Sequence, residues 1–109
     1  MAVKHKLLDT PPEKVPHEFA QTVIDFSKPI DVITAAYVGL TEITEDFKNP
    51  YEQLAAGFEL TVDTDENLQL VADHFYASMP ENVQAGGCNV LDAGGLAVWQ
   101  KQAQQVFSR

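Results

Sequence analysis

Between Ile33 and Val62 the residues alternate, and no other feature of the sequence restricts the fold as much. Leu54, Ala56, Phe58, Leu60 and Val62 take turns with Gln53, Ala55, Gly57, Glu59 and Thr61. A period of two belongs to a strand, whose successive side chains point to opposite faces, and one of these faces is apolar enough to be buried. Upstream, Thr34, Ala36, Val38 and Leu40 interleave with Ile33, Ala35, Tyr37 and Gly39, so both faces are apolar or small. A strand of that kind sits inside its sheet. Between the two lies Thr41 to Pro50, which carries Glu42, Glu45, Asp46 and Lys48 and ends in Asn-Pro, a turn signal. The pair reads as a long antiparallel hairpin with a solvated tip.

The flanks supply the other elements. Val3 to Leu8 is β-capable and reads as a first strand, stopped by Pro11-Pro12. A helix follows: Pro16 suits its first turn, Glu18 complements its dipole, and Phe19, Val23 and Phe26 recur at helical spacing up to Ser27-Lys28-Pro29. Asp63 with Glu66 has the form of a capping box. Leu68, Val71, Ala72, Phe75 and Met79 then mark one face of a second helix, which Pro80 ends. Asn82 to Asp92 reads as a last strand with a bulge at Gly86-Gly87. After a turn at Asp92-Ala93-Gly94-Gly95, Leu96, Trp99, Ala103 and Val106 mark a final amphipathic helix.

The order β-α-β-β-α-β-α predicts an α+β, ferredoxin-like βαββαβ fold, a four-stranded antiparallel sheet with two helices on one face and an extra C-terminal helix. Leu54, Phe58 and Leu60 are expected to pack under Phe19, Val23, Val71 and Phe75. The other sheet face would carry Ile33, Ala35, Tyr37, Ala55 and Gly57, too apolar and small to face water alone. Either the C-terminal helix with Trp99 or a second subunit should cover it.

The 109 residues, 1–109, suit a single domain. Sixteen acidic residues against seven basic ones give a net charge of -9, which repels nucleic-acid phosphates and anionic membrane surfaces. No apolar run approaches the ~20 residues of a membrane span, and Leu7-Leu8 before Asp9 is too short for a signal-peptide core. The single cysteine, Cys88, excludes an intramolecular disulfide and has no companions for a metal site. The expectation is a cytoplasmic protein with no cofactor and no metal.

His5, His17 and His74 are the available general bases, without a paired Asp or Cys at triad or ligand spacing. Cys88 follows two glycines, and a lone strand cysteine is ordinarily a small buried hydrophobe. The glycine pairs at 86–87 and 94–95 match neither G-x-G-x-x-G nor a P-loop. Asp63, Asp65 and Glu66 lack the ligand order of a calcium loop. None of this is a catalytic motif.

Several stretches resemble the C-terminal domain of the SseB (enhanced serine sensitivity) proteins. They are a strand and Pro-containing loop at Leu7-Leu8-Asp9-Thr10-Pro11-Pro12, a proline-introduced helix at Val15-Pro16-His17-Glu18-Phe19, and a Val-x-x-Ala-Tyr-like strand at Ile33-Thr34-Ala35-Ala36-Tyr37-Val38. The acidic helix start Asp63-Thr64-Asp65-Glu66 and the aromatic-basic ending Val106-Phe107-Ser108-Arg109 complete the pattern, although the family tends to Pro-Phe-Tyr where this chain has Val-Phe-Ser. The resemblance spans nearly the whole chain and implies no established enzymatic activity, cofactor or catalytic residue.

The expected function is a non-catalytic protein-interaction module. It would form a homodimer or dock another protein through the open sheet face (Ile33, Ala35, Tyr37, Ala55) or through the hairpin tip, where Phe47 and Tyr51 set aromatic area beside acids. The alternative is a small-molecule binder or enzyme, as in dimeric α+β barrels, with a cavity between sheet and C-terminal helix at Tyr37, Cys88 and Trp99.

Overall fold

The longest strand, β2, runs from Ile33 to Glu45, and every other strand takes its place from it. The computed structural model describes residues 3–62, 64–78 and 88–109. Around β2 stand β1 (Val3–Leu7), α1 (His17–Ser27), β3 (Tyr51–Leu60), α2 (Asp65–Ser78), β4 (Cys88–Val90), α3 (Ala93–Gln102) and β5 (Gln104–Ser108), with a 3-10 turn at Pro12–Lys14. The architecture is α+β. The hairpin forms as its alternation predicts, with β2 and β3 antiparallel from Ile33↔Leu60 to Ile43↔Tyr51.

The sheet is mixed, which corrects the expected antiparallel ferredoxin-like sheet. That arrangement would set the first strand inside the sheet; here β1 lies on the outer side of β2, antiparallel to it from Val3↔Glu45 to Leu7↔Thr41. β5 takes the other half of the same side, from Ala35↔Ser108 to Val38↔Gln104. A thirteen-residue strand outruns both five-residue partners, so two are set end to end along it. On the far side, β4 runs parallel to β3, from Ala56↔Cys88 to Phe58↔Val90. A connection through a helix returns the chain in the same direction, which makes that pair parallel.

The end of the chain departs from the expected helix through Ala103 and Val106. α3 stops at Gln102, Ala103 is extended (φ -98°, ψ 173°), and Val106 lies in β5. The expected turn at Asp92 to Gly95 is instead the start of α3, where the Asp92 carboxylate accepts the Gly95 N–H at 2.7 Å. At the start of α2, Thr64 Oγ1 accepts the Asn67 N–H at 3.3 Å. Asp63, Met79, Pro80 and the Gly86-Gly87 bulge lie outside the described residues.

Two apolar clusters flank the sheet. On one face Ala36, Val38, Ala56 and Phe58 pack against Val23 and Phe26 of α1 and Val71 and Phe75 of α2, with Phe19, Leu54 and Leu60 partly buried at the margin. On the other, Ala35, Tyr37 and Ala55 pack against Leu91, Trp99 and Ala103. Ile33 joins the first cluster and not Ala35 and Tyr37, because β2 bulges after it: Ile33 faces Leu60 while Ala35 faces Glu59. The extra residue, Thr34, reverses the alternation at that point.

The seam between β1 and β5 explains Gly39 and Thr10. Thr10 is buried; its hydroxyl accepts the Leu40 N–H at 3.0 Å and donates to Leu8 O at 2.9 Å, completing the ladder where neither strand reaches. A Cβ at Gly39 would sit 2.8 Å from Leu7 Cδ1 and 3.1 Å from Ala103 Cβ, so the close approach of both elements requires glycine.

Arg109 ties the end of β5 to the end of α1. Its Nε donates to Ile33 O at 3.0 Å, and Nη2 donates to Ser27 O and Lys28 O at 3.0 and 3.1 Å. The Ser27 and Lys28 carbonyls lie at the negative end of α1, which has no basic residue in its own last turn. Arg109→Ala should cost about 1–2 kcal/mol in urea denaturation. A loss below ~0.3 kcal/mol would show that water replaces the guanidinium without penalty.

Candidate functional site

The residues singled out in the sequence fall on three separate surfaces. Ala35, Tyr37 and Ala55 lie beneath α3, so of the two coverings left open by the sequence the helix is the one in place. Trp99 lies flat against the strand because residue 57 has no side chain: a Cβ there would stand 2.8 Å from Trp99 Cε3 and 3.1 Å from Leu91 Cδ1. Tyr37 is buried, and its hydroxyl accepts from Gln100 Nε2 at 3.4 Å. On this face Ala35, Tyr37, Ala55, Leu91, Trp99 and Ala103 pack on one another.

Cys88 is not with them. It packs at the margin of the first cluster, across the sheet from Tyr37 and Trp99, so the three do not share a cavity. Burial pushes its thiol up to about 12, which leaves it protonated at neutral pH and a poor nucleophile. It lines a groove between α2 and β4.

The histidines are dispersed. His5 is in β1, His17 starts α1 and His74 lies on the exposed face of α2, at an open cleft of about 470 Å³ shared with Thr22, Asp25 and Phe26. Among the described residues no group of three or more His, Cys, Asp or Glu is placed to hold a metal ion. No helix among them is long and apolar enough to cross a membrane.

The hairpin tip is the third surface. Lys48 N–H donates to Glu45 O at 3.3 Å, closing a four-residue turn, and Lys48 Nζ pairs with the Glu45 carboxylate at 3.3 Å. Phe47 occupies the third position of that turn with φ 64°, and its side chain is fully exposed. Glycine or asparagine is the usual occupant of such a backbone, since a Cβ there costs about 1–3 kcal/mol. Tyr51, at the start of β3, is 46% exposed. Sequence reasoning placed aromatics at the tip; the left-handed backbone under Phe47 has no signature in Asp46-Phe47-Lys48.

Phe47 therefore carries backbone strain without burial in return. Phe47→Gly should leave stability unchanged or raise it by up to about 1 kcal/mol, the strain relieved being offset by glycine's greater freedom in the unfolded chain. A loss above ~1 kcal/mol in chemical denaturation would mean the ring is packed after all.

No family model, no curated protein and no solved structure matches this chain.

Proposed function

We propose that the chain is a non-catalytic protein-interaction module that docks a partner through the tip of the β2–β3 hairpin. The observation that carries this reading is Phe47, an aromatic side chain held fully in water on a left-handed backbone. Strain at a surface position without a packing return is the mark of a residue kept for contact. Tyr51 adds a second aromatic, and Glu42, Glu45, Asp46 and Glu52 lie around the pair in sequence. The complementary surface is an apolar pocket bordered by basic groups.

The acidity decides between a second copy and a different protein. Two copies meeting tip to tip would bring like charges together in a chain of net charge -9, so the partner is another, basic protein. A cytoplasmic setting, argued from the single cysteine, belongs to the same proposal. So does kinship with the SseB C-terminal domain, which rests on the Pro loop, the Ala36-Tyr37 strand and the Phe107-Arg109 ending.

The test compares proteins recovered with the wild-type chain and with Phe47→Ser from the cells that make it. The proposal expects one basic partner to be lost by more than about tenfold, with the melting temperature unchanged. Equal recovery of every partner by both forms would remove the tip from the reading.

A further inference from the structure

The strand order ends at β4, and among the described residues no strand lies on its outer side. In a parallel ladder alternate residues turn their main-chain groups to the same neighbour. Asn89 pairs with Gly57, and Leu91 donates its N–H to Phe58 O at 2.9 Å. The N–H and C=O of Val90, between them, therefore point away from β3.

α2 packs beside this edge. Leu68, Ala72 and Tyr76, one stripe of α2 at a spacing of four, line with Asp65, Gln69, Cys88 and Val90 a groove of about 490 Å³. Its walls are largely apolar, and its open side presents main-chain donors and acceptors. An added β-strand satisfies both, the backbone by ladder hydrogen bonds and alternate side chains by burial.

We propose that this groove receives an extended segment of a partner polypeptide, added as a strand to β4 beside α2, with an apolar side chain against Leu68, Ala72 and Tyr76 and a basic side chain near Asp65. β4 spans about 10 Å at ~3.3 Å per residue, so about three partner residues make the ladder. The charge follows from α2, which carries Asp65, Glu66 and Asp73 and no Lys or Arg. Pairing β4 with its own copy would face two such acidic helices across the joint, which disfavours a second copy as occupant. The inference rests on the reading of the chain as an interaction module, but the groove is a surface distinct from the tip.

The experiment selects heptapeptides from a random displayed library on the full chain and measures the affinity of the selected peptides by fluorescence anisotropy. The expected peptides alternate apolar residues and carry Lys or Arg. Their affinity should fall by about tenfold or more in Val90→Pro, which deletes the outward N–H and leaves the Asn89 and Leu91 bonds in place. Ala72→Arg, which fills the groove and sets a positive charge in it, should have the same effect and guards against misfolding of the first variant; thermal melts of both check this. Peptides without basic residues, equal binding by both variants, or no clone above background would overturn the proposal. Loss of peptide binding in Phe47→Ser, with none in the groove variants, would retain the tip and reject the groove. Groove-dependent peptides with unchanged partner recovery by Phe47→Ser would do the reverse.

Discussion

Replacing Phe58 with alanine is expected to cost about 3–5 kcal/mol, the range for emptying a buried aromatic position. Phe58 is fully buried as one of three mutually packed rings: its centroid is 5.3 Å from that of Phe26 and 6.1 Å from that of Phe75, and those two are 5.9 Å apart in an edge-to-face arrangement. Each ring comes from a different element, β3, α1 and α2, so no one backbone segment can move in to fill the space without breaking its own ladder or helix. The favourable ring geometry is lost in addition to the buried area. Urea denaturation followed by circular dichroism measures the effect, and a shift below about 1 kcal/mol would mean the three elements do not meet at Phe58.

The second large effect is expected on the opposite face. Trp99→Ala should cost about 3–5 kcal/mol, because Trp99 spans the space between α3 and the strand at Gly57. Gly57→Ala attacks the same contact from the other side. Its Cβ would arrive 2.8 Å from the indole, and the resulting displacement should cost about 1–3 kcal/mol. The two changes act largely on one contact, so their costs should not add: with the indole gone only Leu91 Cδ1, at 3.1 Å, still crowds the alanine at 57, and the double variant should lose clearly less than the sum of the two single costs. Additive losses would show that Trp99 and Gly57 do not touch.

These two faces mark how far the fold was legible in the sequence. The alternation of Leu54, Ala56, Phe58 and Leu60 with Ala55 and Gly57 separates the clusters correctly, because strand periodicity is local and strong. The spacing of Val23 with Phe26 and of Val71 with Phe75 likewise places the helix faces that meet Phe58. What escaped depends on partners distant in sequence. Val106 falls at a helical interval from Ala103, and only the unfilled half of β2 makes 104–108 a strand. Ile33 shares a period with Ala35 and Tyr37 and is turned from them by one bulge. The parallel setting of β4 and the outer position of β1 are choices of sheet order, which residue pattern does not encode.

The candidate surfaces were legible in the same proportion. Phe47 and Tyr51 stood out as aromatics among acids, a signal of composition. The strain beneath Phe47 is a property of backbone geometry, and the groove lies between α2 and β4, elements whose contact is set by the tertiary fold. Ala72, which helical spacing puts on the same face as Val71 and Phe75, is half-buried and helps to line that groove.

A photo-crosslinking amino acid placed at position 47, and in a parallel sample at the exposed Val98 of α3, tests the hairpin tip most directly in the cells that make the protein. The account predicts one discrete adduct of fixed mass at 47, absent at 98, containing a basic partner. No adduct at 47, or the same set of adducts at both positions, would contradict it.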